Sequence, residues 1–215
     1  MESAGFKEWA IVGEAMGRGE QSVIVRKGGI AEGRSGFAFR HSEFFLFPTF
    51  FHEQKDRIRV EDAEIPKTRP GELEIRLFAK VVTVQRITAW ETAAALEPLH
   101  ILQPSVVRER FDYDEAPGLH VAMVRVFRLA PSWIFPDAPR YAGCRSWIKL
   151  PEPPKELRVE PVLNEAEHDL ISRARRPEPG SRPNDRDRPR GGIACRKAAD
   201  SNRISRAIRS GCRPL

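Results

Sequence analysis

No stretch of about 18 consecutive apolar residues occurs in this chain, which rules out an ordinary bilayer-spanning helix. The opening residues do not read as a secretory leader either, because Lys7, Glu8 and Glu14 interrupt their apolar positions. Cysteine is scarce. Cys144, Cys195 and Cys212 stand far apart, so there is no disulfide framework and no closely spaced pair for zinc. A reducing, cytoplasmic location is the expectation, with no membrane partner. Aromatic residues are missing after Trp147, so a packed core is expected to end near residues 150–172.

The formal charge of +6 invites a nucleic-acid reading. Its distribution weakens that argument. Residues 173–215 carry 13 Lys and Arg against 4 Asp and Glu, net +9, which leaves residues 1–172 at net −3. The expected organisation is one globular domain over 5–160, a short helix or linker over 161–172, and a disordered basic tail over 173–215. The tail's Arg, Pro, Gly and Ala mixture, without helical or strand period, fits a basic arm for nucleic acid. It fits equally well GC-rich DNA translated out of frame.

The unusual residues are concentrated between Gly28 and Glu53. Four glycines, seven phenylalanines, two histidines and three glutamates occur there with no lysine. Upstream, Phe6, Trp9, Val12 and Met16 have the spacing of one helix face over 6–16. Gln21 to Lys27 reads as a buried strand running into Gly28-Gly29. Glycine amides beside Arg26, Lys27 and Arg34 could approach a phosphate or carboxylate, although neither a Walker loop nor a dinucleotide fingerprint is present. A central strand, Glu43 to Phe47, is expected to stop at Pro48, and Thr49 to open a turn carrying His52 and Glu53.

Beyond this, Leu73 to Ile87 alternates as a long strand with one polar face. Ala89 to Leu102 is helical by spacing with Thr88 as cap, and Ser105 caps a helix over Val106 to Phe111. Leu119 to Leu129 is a strand whose Arg125 and Arg128 differ in parity, so that a shared anion site with Arg86, Arg108 and Arg110 would need a bulge. Prolines from Pro131 to Pro161 imply extended backbone. Asn164 is expected to cap a helix over 164–176. The fold class is therefore α+β (or α/β): a single mixed-sheet domain with a few short helices, the strands at 21–27 and 43–47 central, and a disordered C-terminal tail.

Four segments resemble the DUF1802 family of uncharacterised bacterial proteins: Lys7 to Ala10 (Lys-Glu-Trp-Ala), Arg26 to Glu32, Phe44 to His52 with Pro48-Thr49 inside it, and the arginine-bearing strand Leu119 to Leu129. The resemblance covers about residues 5–160. It implies a link to DNA restriction or modification and carries over no catalytic residue.

Three functions stay open. The first is a binding module for nucleic acid or another phosphate-bearing ligand, seated at Arg26, Lys27, Gly28, Gly29, Glu32, Arg34 and His52. The second is a metal-assisted hydrolase or nuclease using Glu32, His41, Glu43 and His52, which requires those groups to converge. The third is a structural subunit of a complex. No motif names a cofactor or a complete metal-ligand set, and the oligomeric state is open.

Overall fold

The computed structural model describes residues 2–27, 37–60, 64–66 and 69–173. The basic segment after Arg173, and with it the expected disordered tail, lies outside the described residues. The chain runs β1 (Ala4–Trp9), α1 (Ala10–Gly17), β2 (Val23–Arg26), β3 (Glu43–Thr49), a 3₁₀ turn (His52–Arg57), β4 (Glu72–Ile87), α2 (Trp90–Ala94), a 3₁₀ turn (Glu97–Leu99) and α3 (Pro104–Phe111). It continues through β5 (Leu119–Pro136), a 3₁₀ turn (Pro139–Tyr141), β6 (Trp147–Lys149), β7 (Arg158–Pro161) and α4 (Glu165–Arg173). Among the described residues no helix is long and apolar enough to cross a membrane.

All seven strands form one mixed sheet in the order β2-β5-β4-β3-β1-β6, with β7 also on β5. The β1–β3 pair is parallel and the other pairs are antiparallel. β3 is interior, as expected. It explains the density of phenylalanine: Phe44 and Leu46 enter one apolar cluster with Phe6, Ile24 and Val124, whereas Phe45 and Phe47 enter a second with Phe78, Trp133 and Tyr141. A strand buried on both faces needs apolar residues at every position, not at alternate ones.

Several local expectations are corrected. Phe6 to Trp9 is strand, not helix, because β1 gains hydrogen-bonded neighbours on both sides and Phe6 drops among Phe37, Phe39, Phe44 and Trp147; tertiary pairing overrides helical spacing. β2 lies at an edge instead of the centre. β3 does not stop at Pro48, since Pro48 and Thr49 pair with Glu8 and Trp9 in the parallel ladder. β4 has no single polar face. Leu73 and Ile75 enter the second cluster and Leu77 and Ala79 the first, the change falling at the register shift between Ile75 and Leu77, where the β5 partner moves from Trp133 to Arg128.

The helix expected over 89–102 shortens to α2 and a 3₁₀ turn, with Ala89 rather than Thr88 at the cap position. Gln103, not Ser105, precedes α3, whose first residue is Pro104. β5 continues past Leu129 to Pro136. Asn164 does cap α4: its Oδ1 accepts from the Glu167 amide and Glu167 Oε2 accepts from the Asn164 amide, both at 2.9 Å, a reciprocal capping box.

α1 ends in a Schellman turn, with the Glu20 amide donating to the Ala15 carbonyl and the Gly19 amide to the Met16 carbonyl. Gly19 has φ +79°, and an added Cβ would lie 2.6 Å from Leu163 Cδ2. Gly19→Ala is therefore expected to lower stability by about 1–2 kcal/mol, read as a fall in the urea midpoint at unchanged slope.

Candidate functional site

The sheet curls until β2 approaches β1, and arginines span the seam between them. The Arg26 guanidinium donates to the Lys7 carbonyl and lies 4.0 Å from Glu8 Oε2, with its Cζ 4.9 Å from the Phe6 ring centroid. Arg110, from α3, donates to the Val25 carbonyl at 2.7 Å and stacks on Trp9 at 4.7 Å. Arg57 covers Trp9 at 5.7 Å, and the Phe51 ring meets its edge at 5.1 Å. Two guanidinium groups thus cover the Trp9 ring, and the third, that of Arg26, lies between the Phe6 ring and the buried Glu8 carboxylate. Burial pushes the Arg110 pKa down to about 10, Glu8 opposes that shift, and Arg26 and Arg57 add to it. Desolvation of a cation acts in that direction.

The Lys-Glu-Trp-Ala segment acquires a physical meaning here. Lys7 is buried, donates to the Gly143 carbonyl at 2.8 Å and has a lowered pKa, chiefly from burial. Glu8 faces the arginines, Trp9 fills the seam and Ala10 starts α1. Thr49, from the Phe44 to His52 segment, donates its hydroxyl to the Glu8 carbonyl at 3.0 Å.

On the face that carries Ile24, Arg26 stands opposite His120 of β5, and His120 stands opposite Arg86 of β4. Directly opposed residues of antiparallel strands project to one side, so all three side chains start on one face. The Arg26 guanidinium, however, is turned to the Lys7 carbonyl, Glu8 and the Phe6 ring, which leaves Arg86 as the arginine acting on the imidazole. His120 is half-buried, its ring 5.6 Å from Phe37. Its pKa is lowered by burial first, then by Arg86 and Lys27. Arg86 is exposed, and among the described residues no carboxylate forms an ion pair with it. Lys27 and Phe37, which flank residues 28–36 in sequence, both lie beside His120.

The expected site residues separate as follows. Arg26 lies at the centre of the cationic groups. Lys27 is committed elsewhere, its ammonium donating to the Ala116 carbonyl and pairing with Asp114 at 2.9 Å. Gly28, Gly29, Glu32 and Arg34 lie outside the described residues. His52 begins the 3₁₀ turn that delivers Arg57 to Trp9. His41 and Glu43 lie at the other end of β3, where His41 Nδ1 is 2.7 Å from Glu2 and Glu43 is 3.8 Å from Lys80. Seven residues of strand separate these ends by roughly 20 Å. Among the described residues no three of His, Cys, Asp and Glu are grouped to hold a metal.

The other arginines disperse. Arg125 pairs with Glu165 at 2.6 Å, Arg128 donates to the Gly17 carbonyl, and Arg108 lies 4.6 Å from the Trp90 ring. Sequence reasoning missed Glu8, Arg57 and His120. A glutamate between an aromatic residue and a lysine was the available signal for the first; the register that aligns His120 leaves no trace in sequence.

A family model matches residues 5–174, and its description is "Domain of unknown function (DUF1802)". The chain belongs to the DUF1802 family. Its matched span takes in both sets of cationic residues and ends at α4. No curated protein matches the sequence. Among solved structures, this DUF1802 chain is similar to an ASCH protein from Zymomonas mobilis, at 14% identity over 79% of this chain and 93% of that one, TM-score 0.38. Two point variants of that protein give 13% and 14% identity with TM-scores of 0.37 and 0.38. Likeness at this level decides nothing about the chemistry.

Proposed function

We propose that this protein binds a phosphate-bearing ligand, nucleic acid or nucleotide, at the Arg26–His120–Arg86 row. The observation that carries the reading is the alignment itself: exposed Arg86 stands opposite the half-buried His120, with Lys27 as the next cation acting on that ring, and an anion is attracted to that charge. Glu8 offsets Arg26, and Asp114 offsets Lys27. Arg86 is left facing solvent beside His120. Guanidinium groups suit phosphate through paired N–H donors, and the wall of rings at Phe37 and Phe39 keeps one side of the row apolar. The cytoplasmic setting expected from scarce cysteine agrees with such ligands.

The hydrolase reading gains no support from the described residues, because His41 and Glu43 stand away from the turn that begins at His52.

The test is binding of the full chain to a short labelled oligonucleotide and to nucleotides across a salt series, with Arg86→Glu alongside. Arg86 is exposed, so its replacement leaves the core intact. Affinity is expected to fall about tenfold or more, and the slope of log affinity against log salt to flatten by about one. Equal affinity and slope for both proteins would remove the row from the binding surface, leaving only non-specific attraction to the basic tail.

A further inference from the structure

His120 is enclosed by positive groups. From β2 it faces Arg26, whose charge Glu8 partly offsets, and Lys27, tied to Asp114. From β4 it faces Arg86, and from the segment before β3 only the Phe37 ring. No carboxylate contacts the imidazole among the described residues. Neighbouring strands lie about 4.8 Å apart, which sets Arg86 next to His120, while the Arg26 guanidinium is turned to the Lys7 carbonyl and the Phe6 ring.

We propose that this row recognises a terminal phosphate, a phosphomonoester, in preference to the internal phosphodiesters of a nucleic-acid chain. This rests on the anion-binding reading above and narrows it. A monoester carries about −1.5 to −2 charges near neutral pH, whereas a diester carries one. The Arg86 guanidinium and the Lys27 ammonium near the imidazole reward the extra charge, because attraction scales with the charge product in a partly desolvated setting.

His120 adds a second discriminator. Without ligand, burial and its cationic neighbours keep the ring neutral at neutral pH. A dianion beside it reverses the sign of the local field, so the ring takes up a proton and becomes a third charged donor. The sign follows from linkage: a complex that binds one more proton than its components gains affinity as pH falls. The gain starts at the pKa of the ring in the complex and ends at its lower value in the free protein, below the ordinary 6.5. The second ionisation of the phosphate, near 6, also limits it at the acid end.

The experiment measures fluorescence anisotropy of the full chain with one short labelled oligonucleotide in three forms: 5′-phosphorylated, 3′-phosphorylated and with hydroxyl ends. It is run at about pH 7.5 and about pH 6.5. Unlabelled mononucleotide and inorganic phosphate serve as competitors and separate the end of a chain from a free phosphate compound. At least one phosphorylated form is expected to bind about tenfold more tightly than the hydroxyl form, with several-fold further gain at the lower pH. His120→Gln, which keeps a polar side chain that cannot be protonated, is expected to lose the pH gain, and Arg86→Glu to lose the preference. Equal binding of all three forms that still depends on Arg86 overturns the terminal-phosphate inference while the broader reading stands. Absence of Arg86-dependent binding to any form, with no displacement by the competitors, overturns both.

Discussion

Glu8→Ala is expected to cost about 3–5 kcal/mol of folding stability, the range found when one member of a buried charge cluster is removed. Glu8 is 3% exposed. It is the carboxylate whose charge both Arg26 and Arg110 feel, at 4.0 Å from the first and as the leading favourable charge on the second. Deleting it strands two guanidinium groups in a region from which water is excluded. Arg26 lies at the outer limit of an ion pair, so the effect is mainly one of field rather than of a particular hydrogen bond. Glu8→Gln separates the two. It preserves an acceptor for the Trp9 amide, which now donates to Glu8 Oε1 at 2.9 Å, but removes the charge. Urea unfolding of both variants makes the check: if glutamine restores most of the stability lost with alanine, the charge argument fails.

Gln54→Leu is expected to lose about 2–4 kcal/mol, because it leaves one buried and one half-buried backbone group without their partners. Gln54 is fully buried. Its Oε1 accepts from the Ile11 amide at 3.2 Å and its Nε2 donates to the Thr49 carbonyl at 2.6 Å. The first is an amide in the opening turn of α1, which has no capping side chain at Trp9; the second closes the end of β3. One side chain from the 3₁₀ turn therefore serves as a distant cap and as a strand terminator. A lower urea midpoint at constant slope is the expected result. An unchanged midpoint would mean that water replaces both bonds.

The sequence makes the long strands, the aromatic segment and the α4 cap legible because each depends on neighbours along the chain. Leu73 to Ile87 alternates, and Asn164 and Glu167 have capping-box spacing. β1 was misread because Phe6, Trp9 and Met16 fit helical spacing while the cause of the strand, pairing with Phe45 to Thr49 on one side and Trp147 to Lys149 on the other, lies elsewhere in the chain. The same limit governs the site. Arg26 was visible through its glycine neighbours and the family-like segment, and Arg86 and Arg110 appeared only as scattered arginines. That Arg26, His120 and Arg86 share one face depends on the register of three strands, which local patterning does not determine.

β5 accepts β2 along its first half and β7 along its second, on the edge opposite β4. Segments from near the start and near the end of the domain are thus zipped to a single backbone. On a ribosome, that zipper cannot close until almost the whole domain has emerged, and its loop entropy must be met before the pairing compensates it. A topology of this kind belongs to the slow end of small-domain folding, with the nascent chain holding its phenylalanine-rich segment uncovered while it waits for the last strand.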